Sequence, residues 1–348
     1  MEIILNNGRK IGDNHPAYII AEIGINHNGS IQIAKELIDK ASIIGIDAVK
    51  FQKRTIHEMY REDFLKMPYL KENSFGKTYG EHKNFLEFSD EQLFELRDYT
   101  RSRNLDFIIS GFDFSGFDFI EKHMDVPFHK IASPLVTHIP LLIHVAKYGK
   151  PMVLSTGMHN FEEVREAVSV IKKYNKELIV LQCTTSYPTN DEDVNLSVIR
   201  RFREELNVLA GYSSHDRGVV IPAASVAFGS CFIEKHFTLD RTMKGPDHVA
   251  SVEPRGLELI LGYTRSIEAA IGKDNKSLNE VEYVAKEKFG YSCVAKTKIS
   301  QGEIITLDKI TFKQPGTGLK PSEISQILNK ISKNNIQFDQ EITLNDIK

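Results

Sequence analysis

Nothing in this sequence runs long and apolar. No uninterrupted apolar stretch approaches the roughly 18 residues of a membrane-spanning helix, so a membrane protein is not expected. Charge of one sign is missing too. The 44 lysines and arginines are set against 47 aspartates and glutamates, for a formal net charge of −3. Without a basic excess or patch, neither nucleic acid nor an anionic membrane surface is expected as a partner. Cysteine is scarce: Cys183, Cys231 and Cys293 are an odd number with no paired spacing. The first residues, MEIILNNGRKIGD, lack the charged and apolar regions of a secretory leader. Together these absences predict a cytoplasmic protein. The glycines form neither GxGxxG nor a Walker loop in strand–turn–helix context, so nucleotide binding is unsupported. There is no GxSxG elbow, and no cysteine lies in a recognisable nucleophile motif.

What is present is ordinary globular composition, 41% hydrophobic and 26% charged over 348 residues. Short apolar runs rich in β-branched residues alternate with helical patterns for about 270 residues. The strand candidates are Tyr18–Ile23, Ile46–Phe51, Asp106–Ser110, Phe128–Ile131, Met152–Ser155, Leu178–Gln182, Val208–Tyr212 and Cys231–His236. Between them, helical periodicity marks 30–45, with Ser30 as cap and Gly45 as stop, and then 161–174, 194–206 and 256–270. Eight such units fit a (β/α)8 TIM barrel over residues 1–271; a doubly wound open sheet is the alternative. Glu22, Lys50, Gln52, Ser110, Lys130, Ser155, Ser213, His215 and His236 fall at or just beyond strand C-termini. A barrel gathers those positions on one face, whereas an open sheet spreads them along a line. The stretch from Arg54 to Leu105 interrupts the rhythm and reads as a functional loop with some helix inside. A polar segment, 272–290, reads as a linker. After it, 291–348 reads as a small β-rich domain, too small to be robust alone.

His215 and His236 end adjacent strands, and two imidazoles there can share a divalent ion; the alternative is two structural histidines. With oxygen neighbours and no cysteine quartet, Mn²⁺ or another oxygen-tolerant ion suits better than structural zinc. Lys50 and Lys130 end strands behind apolar neighbours. Two ammoniums converging on a barrel mouth make a phosphate or carboxylate site, unless both snorkel to solvent. Ser110, Ser133, Ser155 and Ser213 would add hydroxyls. Glu22 has apolar flanks that favour the barrel mouth over the surface. Asp247, in KGPDH, reads on its own as a turn aspartate.

The motifs AEIGINHNG, VKFQK, LSTGM, QCTTSYPT, GYSSHD, EKHFTLD and GPDHVASVEP, in this order, resemble the sialic acid synthase family. Its members include N-acetylneuraminate, legionaminate and pseudaminate synthases. The resemblance covers nearly the whole chain and makes 291–348 similar to the SAF, or antifreeze-like, domain. It implies condensation of phosphoenolpyruvate with an open-chain hexose-type aldose to a nonulosonic acid. By the same resemblance, His215 and His236 bind the metal, usually Mn²⁺, with Mg²⁺ or Co²⁺ as alternatives. Lys50, Ser110, Lys130, Ser133, Ser155 and Ser213 hold phosphoenolpyruvate, and Glu22, Gln52, Tyr187 and Asp247 line the aldehyde side. Glu22, Tyr187 and Asp247 are the catalytic candidates. The family forms homodimers in which the small domain of one chain covers the barrel mouth of the other. The stretch KTYGEHKNFLEFS is similar to the vertebrate enzyme, which acts on a 6-phosphorylated sugar.

Two departures bear on the sugar. Where family members often carry an acidic residue, this chain has Leu135 (KIASPL). Where some bacterial members place an arginine, it has Gln314 (KQPGTG). These predict an acceptor other than free N-acetylmannosamine: its 6-phosphate, mannose or mannose 6-phosphate, or a diacetamido sugar. A different metal-dependent barrel aldolase or hydrolase, and a carbohydrate-binding scaffold, remain the competing classes.

Overall fold

The computed structural model describes residues 1–348, which divide into two compact units, Met1–Gly272 and Lys273–Lys348. The first opens with an antiparallel hairpin, β1 (Glu2–Ile4) and β2 (Lys10–Gly12). Eight parallel strands then close a barrel: β3 (Tyr18–Gly24), β4 (Ala48–Lys53), β5 (Asp106–Gly111), β6 (His129–Ile131), β7 (Met152–Ser155), β8 (Leu178–Cys183), β9 (Leu209–Ser214) and β10 (Phe232–His236). β10 pairs with β3, so no edge is left and the open-sheet alternative is excluded. Every predicted strand is present. The predicted helices lie at Ile31–Ile44, Phe161–Lys172, Ser197–Leu206 and Pro254–Ile271. Ser30 caps the first through its side chain, and Gly45 ends it in the left-handed conformation.

Strand periodicity divides the barrel's residues between two surfaces. Ile19, Ala21, Ile23, Val49, Phe107 and Ile109 point outward and pack on the helices. Ile20, Ala48, Ile108, Phe128, Val153, Ile179, Leu209 and Phe232 point inward, where Ile3, Leu5 and Ile11 of the hairpin segment join them and seal the N-terminal end. Two residues further along, six of these strands carry polar groups in the same inward direction, Glu22, Lys50, Ser110, Lys130, Ser155 and Glu234, whereas β8 and β9 carry Leu181 and Gly211 there. The interior is therefore apolar at its lower end and charged at its upper end. At the join, a Cβ on Gly211 would lie 2.4 Å from the Phe232 carbonyl oxygen and 2.7 Å from Leu181, so only glycine fits.

The excursion after β4 folds as short helices, Ile56–Met59, Glu62–Leu65 and Tyr79–Leu86, before Asp90–Ser102 returns to the barrel. An aromatic cluster holds it together: Tyr79 stands 4.7 Å from Phe64 and 5.4 Å from both Tyr60 and Tyr69. In the second unit, β11 (Ser292–Ala295) pairs antiparallel with β12 (Ile310–Lys313) around an isoleucine-rich core. The segment predicted as a linker contains a helix, Tyr283–Phe289, whose polar, unpatterned sequence hides it.

Candidate active site

The upper end of the barrel opens into a cavity of about 380 Å³. Glu22, Lys50, Gln52, Lys130, Ser133, Ser155, Tyr187, Ser213, His215, His236 and Asp247 all line it. Ser110 stands behind Lys50, accepting a hydrogen bond from its ammonium at 3.2 Å. Gln314 belongs to the second unit, where its side chain donates to the Phe289 carbonyl. Leu135 is buried in the hydrophobic core. It is the last residue of the 3₁₀ turn Ser133–Leu135, and Ser133 and Pro134 line the cavity instead. Leu135 itself therefore does not line the cavity.

Adjacent strands β10, β3 and β4 set Glu234, Glu22 and Lys50 side by side, and Lys130 meets them from β6 across the barrel. Lys50 pairs with Glu22 at 2.7 Å and with Glu234 at 3.4 Å; Lys130 approaches Glu234 at 3.7 Å and donates to Ser155 Oγ at 2.7 Å. Lys50 is 4% exposed, Lys130 2% and Glu234 6%, so these are desolvated charges that persist only through one another. Glu234 is one cavity residue that the sequence reading missed. Its signal was there: it lies two positions before His236 on one strand, hence on the same inward face.

The electrostatics follow from burial and neighbours. Burial lifts Glu22 to about 7; Lys50 opposes the shift and Glu234 adds to it. Burial also favours neutral Glu234 and neutral Lys50, but opposite charges prevail in both cases. The carboxyl stays below its usual range and the Lys50 ammonium above its own. For Lys130 burial wins, and its pKa falls. Gln52 orients Glu22, donating to Oε1 at 2.6 Å. A bulge after Glu22 makes room for this, with Gly24 at φ +54°; a Cβ there would sit 3.0 Å from Glu22 Oε1.

His215 and His236 face each other with ring centroids 5.3 Å apart, and Tyr187 stacks over His215 at 4.1 Å. His215 Nδ1 lies 2.7 Å from the Thr184 carbonyl, which fixes the ring. His236 Nδ1 is buried without a hydrogen bond, and Asp247 Oδ2 stands 3.8 Å from it. No ready-made cluster of three His, Cys, Asp or Glu ligands is present. The donor set fits an ion that takes two imidazoles and completes its shell with water or substrate oxygens. Arg54 and Lys83, from the excursion, also line the cavity. No strand or helix periodicity marked either one.

Residues 37–276 match the NeuB family and residues 292–348 the SAF domain. The chain is 40% identical over 333 residues to the N-acetylneuraminate-9-phosphate synthase of Homo sapiens, covering 95% of this chain and 92% of that one. It is 34% identical over 337 residues to the N,N'-diacetyllegionaminic acid synthase of Legionella pneumophila, covering 95% and 94%. Among solved structures, the N-acetylneuraminic acid synthetase of Leptospira borgpetersenii in complex with citrate matches with a TM-score of 0.72 at 33% identity, over 82% of this chain and 95% of that one. With most of the barrel and the small C-terminal unit both accounted for, the chain belongs to the NeuB family.

Proposed function

We propose that this chain is a nonulosonate synthase, joining phosphoenolpyruvate to the open-chain aldehyde of a hexose-type sugar. It yields a sialic-type 3-deoxy-2-ulosonic acid and releases phosphate. One observation carries the reading: a single blind cavity holds a desolvated two-lysine, multi-hydroxyl anion site beside two facing imidazoles. An aldolase or hydrolase acting on a neutral substrate has no need of the first, and a binding scaffold has no need of the second.

Lys50 and Lys130, with Ser110, Ser133, Ser155 and Ser213 as hydroxyl partners, hold the phosphate and carboxylate as preorganised charge. Glu234 favours the charged form of both lysines, outweighing burial together with Glu22 at Lys50 and opposing it at Lys130. His215 and His236 would hold a divalent ion, Mn²⁺ by preference, with Mg²⁺ or Co²⁺ able to substitute; such an ion, when bound, polarises the aldehyde oxygen as a Lewis acid. C3 of phosphoenolpyruvate attacks the aldehyde carbon, and positive charge develops at C2. Water adds at C2, losing its proton to Glu22, whose elevated pKa suits exchange near neutral pH. The former aldehyde oxygen takes up that proton and becomes a hydroxyl, and the C2–O bond to phosphate breaks as the C2 hydroxyl becomes the carbonyl and gives its proton to the departing phosphate. Tyr187 and Asp247 bound the aldehyde side.

The working form is a homodimer in which the SAF unit of one chain covers the barrel mouth of the other and brings Gln314 to it. Support comes from apolar side chains that the second unit leaves exposed, Val281, Val284 and Phe289 ahead of the SAF domain and Leu307, Phe338 and Leu344 within it. The cytoplasm is the compartment; all three cysteines are unpaired and buried, and no helix is long and apolar enough to cross a membrane. Incubating the protein, Mn²⁺ and phosphoenolpyruvate with a panel of acceptor sugars, and weighing the products, tests the reaction. Phosphate release that persists undiminished in the Lys50→Met, Lys130→Met double variant refutes it.

A further inference from the structure

Three of the four ammonium and guanidinium groups that line the cavity have a carboxylate within 4 Å. Lys50 has Glu22 at 2.7 Å, Lys130 has Glu234 at 3.7 Å, and Arg54 has Glu87 at 2.7 Å. Lys83 has none. It extends from the helix Tyr79–Leu86, half-buried, with its ammonium 5.3 Å from the centre of the Tyr79 ring. Tyr69, packed edge-on against Tyr79 at 5.4 Å, lines the cavity beside it. Burial and the positive charge of Arg54 pull the Lys83 ammonium down to about 8, the signature of a cation lacking its counter-ion. The neighbouring His82 is held neutral by burial, at about 4, and adds no charge. Asp247 is the carboxylate that feels Lys83 most: after burial, Lys83 is the largest influence on it. Lys83 and Asp247 line the same cavity, and Lys83 enters it from the excursion after β4, whereas Lys50 and Lys130 enter from the barrel strands.

We propose that Lys83, seconded by Arg54, is a specificity-determining residue that binds a phosphate group carried by the acceptor sugar. This rests on the synthase reading. A neutral acceptor leaves Lys83 unpaired, whereas a phosphorylated one gains a charge-assisted hydrogen bond to it. Such a bond typically changes affinity about 10- to 100-fold.

The test measures kcat and KM for N-acetylmannosamine and its 6-phosphate in the Mn²⁺-loaded protein and in its Lys83→Met and Lys83→Arg variants. The parent should prefer the phosphorylated sugar. In Lys83→Met the KM for that sugar should rise about 10- to 100-fold, with the KM for phosphoenolpyruvate within about twofold. Lys83→Arg should retain most of the preference. The proposal is overturned if the parent prefers the neutral sugar or if Lys83→Met keeps the parental preference. It is equally overturned if the change falls on the KM for phosphoenolpyruvate, which would assign Lys83 to that substrate's own phosphate. Absence of phosphate release with every acceptor would remove the synthase reading itself, a result distinct from turnover without preference.

Discussion

Replacing Lys130 by methionine keeps most of the side chain's volume but removes one of the two ammoniums that hold Glu234. Glu234 is buried and keeps only Lys50, at 3.4 Å, as a partner. Taking one partner from a buried ion pair costs about 3–5 kcal/mol. Because Lys50 remains, the low end applies, about 3 kcal/mol. The lost hydrogen bond to Ser155, 2.7 Å in the parent, is included in that figure. Urea unfolding followed by far-UV circular dichroism, which reports mainly on the helices around the barrel, measures the change. The paired variant Lys130→Met, Glu234→Gln removes the stranded charge and should recover at least half of the loss. Both variants should fail to release phosphate, so stability and activity separate. The reasoning is refuted if the single variant lies within about 0.5 kcal/mol of the parent, a difference ordinary for surface changes, or if the paired variant is no more stable than the single one.

Three further outcomes are expected. His27 stacks on Phe88 at 4.0 Å, and burial, then Arg54, lower its pKa to about 3, so the unfolded chain takes up the proton first. The stability this contributes is complete above about pH 6.5 and is lost as the pH falls toward 3, at up to about 1.4 kcal/mol per unit. His27→Gln should flatten the decline in urea midpoint between pH 6.5 and 4.5, and identical slopes would contradict this. Asn26 donates to the Phe237 carbonyl and to Ser251 Oγ, both at 2.9 Å, tying the loop after β3 to the segment after β10. Asn26→Ala should cost about 1–3 kcal/mol in the same assay. Chelation should abolish phosphate release and Mn²⁺ restore it, while equilibrium dialysis of His236→Ala should show weakened Mn²⁺ binding; undiminished binding would remove His236 from the donor set.

The barrel was legible because its strands are buried on both faces and appear as short unbroken apolar runs, punctuated at the right spacing by helix caps such as Ser30 and Gly45. The cavity residues were legible for a related reason: a polar group ending an apolar run has few places to go except the barrel mouth. Glu234 escaped because Lys235 and His236 follow it directly, so EKH reads as one polar end. The strand in fact splits it, sending Lys235 outward to Ser214 and Asp216, and Glu234 inward. Leu135 misled because a position beside a motif was read as a position in the cavity, whereas at the end of the 3₁₀ turn its side chain joins the hydrophobic core. Arg54 and Lys83 had no periodicity to betray them, since the segment that carries them is organised by aromatic contacts between residues far apart in sequence.

The hairpin under the barrel has a consequence for traffic. With Ile3, Leu5 and Ile11 stoppering the lower end, the shaft has one door. The paired lysines lie deep behind it, while Tyr187, 43% exposed, stands near the threshold. On the proposed chemistry the occupant of the lysines must go in ahead of the sugar, and phosphate must come out behind the finished acid. Inorganic phosphate should then compete with phosphoenolpyruvate for the same seat, so a queue of two molecules at a single opening would set the order of events.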